Sequence, residues 1–377
     1  MDATFIAKDK KQREGLNIWF KSGCKGTLEY CTGSGKSRCG ILAAIWLFEK
    51  IQGRVPSILI ISPTETIRDG WLDEFRKWKR PDLIPLIVSE CIQTVHRWTD
   101  MHFDLVVADE IHNYLSIKYV RFFSNNSIAK ILGLSAYIPN ELIETLKDIA
   151  PIVDTLSTKE AEFLGLVTPY TIINFKLNLS SDEKFAYDLF SRKIDEHKVK
   201  TGKDNWRLIG KRKKLLYESE TKYKIIKQLV NIFENEYGVV FTETIEGTTK
   251  VQSIIGDRAV EFHSKMKKPD REIALRKLSD GRTRVRVIVS PKALNEGANL
   301  PRVVWAIVVA NTGKEKEQIQ RLGRIIRIGA EGKQAIMIRL FLSGTQEYDW
   351  ITTSQSDNSA IWIENIEEIK ELWQKLS

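Results

Sequence analysis

Through the first 150 residues, short apolar runs bounded by polar or turn residues alternate with longer stretches of helical spacing. Gly26–Tyr30, Ser57–Ser62, Leu86–Val88, Asp104–Ala108 and Ala129–Ser135 read as strands, and Ser37–Ile51 and Thr66–Lys79 as helices. Strands rich in Ile, Val and Leu on both faces, separated by helices, predict a parallel sheet covered on both sides. The same alternation returns after about residue 222. There Val239–Thr242, Arg258–Phe262, Val285–Ser290, Trp305–Val309 and Ala335–Leu342 read as strands, with helices at Asp270–Leu278 and Glu315–Ile325. Between the halves, Asp182–Asn231 is strand-poor, helical and basic. The tail Ser359–Ser377 carries Trp362, Ile366, Ile369, Trp373 and Leu376 at helical spacing, which predicts a helix packed on its own domain.

The expected fold class is therefore α/β in two domains, 1–155 and 156–377. The second includes a basic helical region at about 180–230 and a C-terminal helix at about 359–377. A length of 377 residues fits two domains, and 42% hydrophobic with 28% charged residues is the composition of a folded chain, not a disordered one. Four cysteines, none in a CxxC pair, argue against a disulfide scaffold or zinc module and predict a reducing, cytoplasmic setting. The apolar runs Ile41–Phe48 and Val303–Ala310 are far shorter than the ~20 residues a membrane span needs. The start, Met1-Asp2-Ala3-Thr4, lacks the charged and apolar segments of a signal peptide.

The net charge of +9 is concentrated. Arg192 to Lys227 holds 13 basic against 5 acidic residues, a field suited to a polyphosphate partner or, more simply, a solvated lysine-rich helix.

Three constellations carry chemistry. Cys31-Thr32-Gly33-Ser34-Gly35-Lys36-Ser37 follows a strand and opens a helix, the context of a phosphate-binding loop. Its glycines let backbone N–H groups close on phosphates at a helix N-terminus. Lys36 supplies a point charge to the β and γ phosphates, and the Ser37 hydroxyl can ligate Mg²⁺. Further on, Leu105–Ala108 runs into Asp109-Glu110-Ile111-His112, a strand ending in two carboxylates. Asp109 suits the metal role and Glu110 that of the base acting on the attacking water. In Gln320-Arg321-Leu322-Gly323-Arg324-Ile325-Ile326-Arg327, Arg324 and Arg327 share a helix face and could meet a γ-phosphate.

In this order the motifs resemble those of the superfamily 2 helicases and translocases with a DExH second motif, across nearly the whole chain. The resemblance implies two RecA-like domains, with ATP between them and nucleic acid across the top. It implies that Gln12 reads adenine, that residues 31–37 are motif I, and that Ile61-Ser62-Pro63-Thr64 with Trp71 is motif Ia. Thr94, in Gln93-Thr94, falls where another strand-contacting threonine is found. Asp109–His112 is similar to motif II, and Gly133-Leu134-Ser135-Ala136 to motif III. His112, Ser135 and Ala136 would couple hydrolysis to strand movement, His112 through a hydrogen bond toward Gln320 or motif III. In the second half Val239–Thr242 resembles motif IV, Ser290 to Pro301 motif V, with Gly297 and Asn299 facing nucleotide, and Gln320–Arg327 motif VI. Pro63, Thr64, Thr94, Thr242, His263 and Ser290 are then candidate nucleic-acid contacts, although His263 serves a structural role equally well.

Within the superfamily the wording is similar to phage branch-migration and DNA-repair motors, to XPB-like helicases and to restriction-enzyme motors. Three positions depart from the pattern: Tyr30 before motif I, Ser290 for a usual threonine, and Tyr137 after Ser135-Ala136. In this context Lys211, Arg212, Lys213 and Lys214 become candidate phosphate contacts. The aromatics Trp206 and Tyr217 are expected to form the apolar face of the helices that carry them. The resemblance implies ATP and Mg²⁺ as cofactors and a monomeric motor on DNA in preference to RNA, with a replication or repair protein as a further partner. The alternatives are a nucleotide-gated clamp or motor subunit of a larger complex, and an RNA helicase.

Overall fold

The computed structural model describes residues 3–291, 303–311, 334–352 and 360–376. The chain divides into two compact units, Met1–Val167 and Thr168–Ser377. Among the described residues no helix is long and apolar enough to cross a membrane.

The first unit contains β1 (Lys25–Tyr30), β2 (Ile58–Ser62), β3 (Ile87–Cys91), β4 (His102–Phe103), β5 (Leu105–Asp109), β6 (Ser127–Ile128), β7 (Ile131–Ser135) and β8 (Ile152–Leu156). Six of these form one sheet in the order β3-β2-β5-β7-β1-β8, every pairing parallel. Every residue of β2, β5 and β7 is buried, which accounts for their unbroken Ile, Leu and Val runs. Its helices are α1 (Ala3–Lys21), α2 (Lys36–Lys50), α3 (Glu65–Lys77), α4 (Ile92–Val95), α5 (Ile117–Ser124), α6 (Ile143–Ile149) and α7 (Thr158–Phe163).

The second unit repeats the plan with β9 (Tyr170–Leu177), β10 (Gly238–Thr242), β11 (Ala259–Glu261), β12 (Val287–Pro291), β13 (Trp305–Val308), β14 (Ala335–Leu342) and β15 (Ile361–Ile363). Its sheet order is β11-β12-β10-β13-β14-β9-β15, again parallel throughout. The helices are α8 (Ser181–Thr201), α9 (Trp206–Tyr217), α10 (Glu220–Ile232), α11 (Ile245–Ile255) and α12 (Lys268–Ser279), followed by Gln346–Thr352 and Ile366–Leu376. The helical character expected of 182–231 is found in α8, α9 and α10.

Three details differ from the pattern reading. The first unit ends at Val167 and not at residue 155, because β8 runs to Leu156, pairs with β1, and is followed by α7. Strands β4, β6, β8 and β9 fall outside the runs singled out above. The tail is a strand followed by a helix: Trp362 lies in β15 and is 47% exposed, while Ile369 and Trp373 are buried in the domain core with Phe233 and Trp305. The expected helix Glu315–Ile325 lies outside the described residues.

Candidate nucleotide site

Helix α1 is fixed to the sheet of the first unit at two points. The Trp19 indole N–H donates to the Ile131 carbonyl at 2.8 Å, and Lys11 pairs with Asp154 at 2.9 Å. The same carboxylate accepts a hydrogen bond from the fully buried Tyr30 hydroxyl. Burial, then the Asp154 carboxylate, pushes the Tyr30 phenol far above its usual range, so it remains a donor. Tyr30, where the motif usually has a small residue, thus joins β1 to β8 directly ahead of the phosphate loop.

So anchored, α1 presents Lys8 and Gln12, one turn apart, to the carbonyl side of that loop. Lys8 Nζ donates to the Gly33 carbonyl at 2.6 Å. Gln12 Nε2 donates to the Ser34 carbonyl at 2.9 Å and to the Gly35 carbonyl at 3.2 Å, and Gln12 Oε1 accepts from Arg38 at 2.7 Å. Arg38 in turn pairs with Asp9 and lies over the Trp78 ring, 4.4 Å from its centroid. Gly35 sits in the left-handed region at φ 85°, and a Cβ there would stand 2.4 Å from Gln12 Nε2, so only glycine fits. Lys8, Asp9 and Arg38 were not among the sequence candidates; the one-turn spacing of Lys8 and Gln12 was the available signal. Both ends of the Gln12 amide are engaged here by the loop and Arg38.

Within the loop, the Ser34 hydroxyl donates to the Cys31 carbonyl at 2.7 Å, and Lys36 Nζ donates to the Tyr30 carbonyl at 3.0 Å. Thr32, Gly33, Lys36 and Ser37 are partly exposed. Burial raises the Cys31 thiol, which keeps it neutral and weakly nucleophilic at the loop entrance.

The second part of the site lies at the end of β5 in the same sheet. Asp109 is buried and accepts a hydrogen bond from the Trp71 indole of α3 at 3.1 Å. Trp71 also bears on α2, since a Cβ on Gly40 would lie 2.6 Å from its ring. The Tyr114 hydroxyl donates to the Asp109 carbonyl at 2.5 Å and holds the strand end. Glu110 follows with a left-handed backbone at φ 52°, ψ 50°, a conformation that costs a non-glycine residue on the order of 1 kcal/mol. Its buried Oε2 has no hydrogen-bond partner and lies 3.5 Å from His112 Nδ1. His112 Nδ1 meets the Ser135 hydroxyl at 2.7 Å, and that hydroxyl also lies 2.8 Å from the Tyr137 carbonyl. Of the two partners expected for His112, the motif III serine is the one observed; Gln320 lies outside the described residues. Ala136 follows at the partly exposed end of β7.

Since all the strands run parallel, the phosphate loop after β1, Asp109–Glu110 after β5 and Ser135–Ala136 after β7 stand at the carboxyl edge of one sheet, where open α/β sheets take their ligands. Pro63 and Thr64 follow β2 on that edge, and Thr94 follows β3. Gln93 Nε2 bridges these two segments by donating to the Pro63 carbonyl at 3.0 Å. Thr64 caps α3, its hydroxyl accepting from Ile67 N–H at 3.4 Å, and it is exposed, as is Thr94.

In the second unit, Thr242, Ser290 and His263 stand at or just after the carboxyl ends of β10, β12 and β11, three neighbouring strands. Thr242 is buried against the Thr248 hydroxyl at 2.7 Å, and Ser290 is buried. His263 is partly buried beside Glu261 at 3.4 Å. The four basic candidates on α9 fall into different settings. Lys211 is exposed. Arg212 donates to Ser191 at 3.1 Å and Gln346 at 3.0 Å and lies over Tyr187, so it ties α9 to its domain. Lys213 lies over Trp350, and Lys214 pairs with Glu246 at 2.9 Å. Gly297, Asn299, Gln320, Arg324 and Arg327 lie outside the described residues.

A family model described as the type III restriction enzyme res subunit matches residues 6–140, and one described as the helicase conserved C-terminal domain matches residues 221–329. The DNA 3'-5' translocase XPB2 of Sulfurisphaera tokodaii is 25% identical over 376 residues, taking in 89% of this chain and 82% of that protein. Putative helicase 22 of a Sulfolobus islandicus filamentous virus is 23% identical over 345 residues, taking in 83% of this chain and 60% of that protein. In fold the chain is similar to S. cerevisiae Dbp5 bound to RNA and ADP BeF3, with a TM-score of 0.67 at 14% identity, over 97% of this chain and 92% of that one.

Proposed function

This chain belongs to the superfamily 2 helicases and translocases, and from that membership we propose that it is a motor on DNA that hydrolyses ATP with Mg²⁺ to move along or remodel its track, forked and branched forms included. The observation that carries the reading is the placing of the phosphate loop and the Asp109–Glu110 pair on one sheet edge, with Trp71 packed on α2 and bonded to Asp109.

The donors suit the ion. The Ser37 hydroxyl and Asp109 carboxylate are hard oxygen ligands of the kind Mg²⁺ takes beside phosphate oxygens and water. When bound, the ion would offset the charge of the β and γ phosphates. Lys36 leaves the Tyr30 carbonyl for the same phosphates, and the loop N–H groups close around them. Glu110 accepts the proton of the attacking water, a role its unpartnered Oε2 suits. Arg324 and Arg327 are proposed to stabilise charge developing in the transition state, Gln320 to assist in catalysis, and Gly297 and Asn299 to contact the nucleotide. The similarity to the Sulfurisphaera protein, a DNA translocase, favours DNA over RNA.

A nucleotide-gated clamp, or a motor subunit of a larger complex, is the second reading; Tyr137 beside the Ser135 hydroxyl, where threonine is usual, favours it. Steady-state ATPase without nucleic acid and with single-stranded, duplex and forked DNA and RNA decides between them. Strong stimulation by DNA, abolished in Glu110→Gln while ATP binding survives, is the expected result. Turnover indifferent to every nucleic acid favours the clamp, stimulation by RNA alone moves the track to RNA, and near-normal turnover in Glu110→Gln removes Glu110 from the base role.

A further inference from the structure

Helix α9 turns to solvent a ridge that its own domain does not use. The helix buries Leu216 and partly covers Leu208, Ile209 and Leu215, while Trp206, Arg207, Gly210, Lys211 and Lys214 are exposed. Positions 206, 210 and 214 are four apart, as are 207 and 211, so the five share one face. The expectation that Trp206 and Tyr217 form the apolar face of their helix fits Tyr217, half-buried beside the Trp350 ring, but not Trp206, which is 74% exposed.

Two further observations say what the indole faces. Gly210, one turn along, weakens the helix relative to alanine, yet a Cβ there would meet nothing within 4 Å, so no packing demands glycine. Helical side chains lean toward the N-terminus, so a side chain at 210 would cover the turn that carries Trp206. Its absence leaves an open shelf beside the ring. Arg207 and Lys211, one turn apart on one flank of the Trp206–Gly210 row, make no ion pair with any described residue, whereas Lys214 closes the far end against Glu246 at 2.9 Å and Glu218 at 3.6 Å. An indole set among free cations, not among apolar neighbours, fits a flat ring carried on a polyanion better than it fits a protein surface.

We propose that Trp206 stacks on an unpaired nucleobase of a single strand, with Arg207 and Lys211 on the adjoining phosphates and Gly210 leaving room for the ring. The proposal rests on the nucleic-acid motor reading and makes α9 the element that holds the unpaired strand.

The test is fluorescence anisotropy of labelled 12-nucleotide DNA and RNA strands, the same strands carrying abasic sites, and a blunt duplex. Trp206→Ala should weaken single-strand binding by roughly 5- to 160-fold, the span of one lost base stack. Trp206→Phe should retain most of the affinity, and Gly210→Leu, which favours the helix but fills the shelf, should behave like Trp206→Ala. Neither loss should be seen on abasic strands or the blunt duplex. The salt slope should stay unchanged in Trp206→Ala and fall by about one in Arg207→Ala or Lys211→Ala. Loss on only one of DNA and RNA names the strand. Unchanged single-strand binding by Trp206→Ala, or equal losses on abasic and duplex forms, overturns the stack while wild-type binding keeps the motor reading. A wild-type protein that binds no nucleic acid overturns the motor reading itself.

Discussion

The Trp71 indole N–H donates to the Asp109 carboxylate at 3.1 Å, so a ring that packs on α2 also orients the carboxylate proposed to hold the metal. Trp71→Phe keeps a ring against Gly40 and removes that donor. Partners of metal-holding groups typically contribute 10- to 100-fold in metal affinity or activity. We expect the Mg²⁺ needed for half-maximal ATPase to rise by roughly that factor. An unchanged Mg²⁺ dependence would leave Trp71 a packing residue only.

Tyr30 and Gly15 form a lock between β1 and α1. A Cβ on Gly15 would stand 1.9 Å from the Tyr30 hydroxyl and 3.2 Å from the Asp154 carboxylate. Gly15→Ala should therefore destabilise the first unit by about 1–3 kcal/mol through overpacking, despite alanine's better helix propensity. In a Tyr30→Phe background the obstructing oxygen is gone, and urea unfolding of the two single variants and the double variant should show a cost well below the sum. Strict additivity would refute the lock.

Lys222 and Glu347 are fully buried in the second unit and paired at 2.6 Å; Lys222 also donates to the Val309 carbonyl, and Glu347 accepts from Leu342 N–H. Burial lowers the lysine and raises the glutamate, each against the pull of its partner. Lys222→Met strands a buried carboxylate and should cost roughly 3–5 kcal/mol, whereas Lys222→Met with Glu347→Leu should recover much of it. Denaturant melts of the three variants check this; a double variant as unstable as the single one would show that packing, not charge, is at stake.

Glu183 gives a pH signature. Burial alone would raise it, but the hydroxyls of Ser219 and Thr221 and the N–H groups of Ser180 and Thr221 outweigh burial and hold it at about 2, below the ordinary 4.5. A carboxyl depressed in the folded state contributes stability above its unfolded value and loses it as pH falls toward the folded one. The stability gap between wild type and Glu183→Gln should be constant at neutral pH, then close between about 4.5 and about 2. A gap independent of pH would mean that the capping geometry alone matters.

What the sequence made legible was local. The phosphate loop is one contiguous run ahead of α2, and Asp109-Glu110 closes β5, a central strand whose burial on both faces forces an unbroken apolar run up to the aspartate. Less legible were elements whose partners are remote. In α1, charged residues crowd a helix held by Trp19 and Lys11 contacts to distant strands, so its sequence shows little periodicity. Strand β8 lies at a sheet edge with Asp154 and Thr155 among its five residues, and β15 spans only three. The two faces of α9 were misjudged at Trp206 because spacing identifies a face without saying which way it turns.

Strand β9 opens the second unit in sequence, yet its neighbours are β14, 165 positions downstream, and β15 beyond it. During synthesis at 5–20 residues per second, β9 waits roughly 10 to 30 s for β14 to emerge from the ribosome. Through that interval both of its hydrogen-bonding edges are unsatisfied, along an eight-residue strand that carries Ile172, Ile173 and Phe175, the kind of edge that recruits other chains. A nascent protein stalled before Ala335 is thus a folded first domain trailing an adhesive strand, and the chaperones that meet this chain should engage it there.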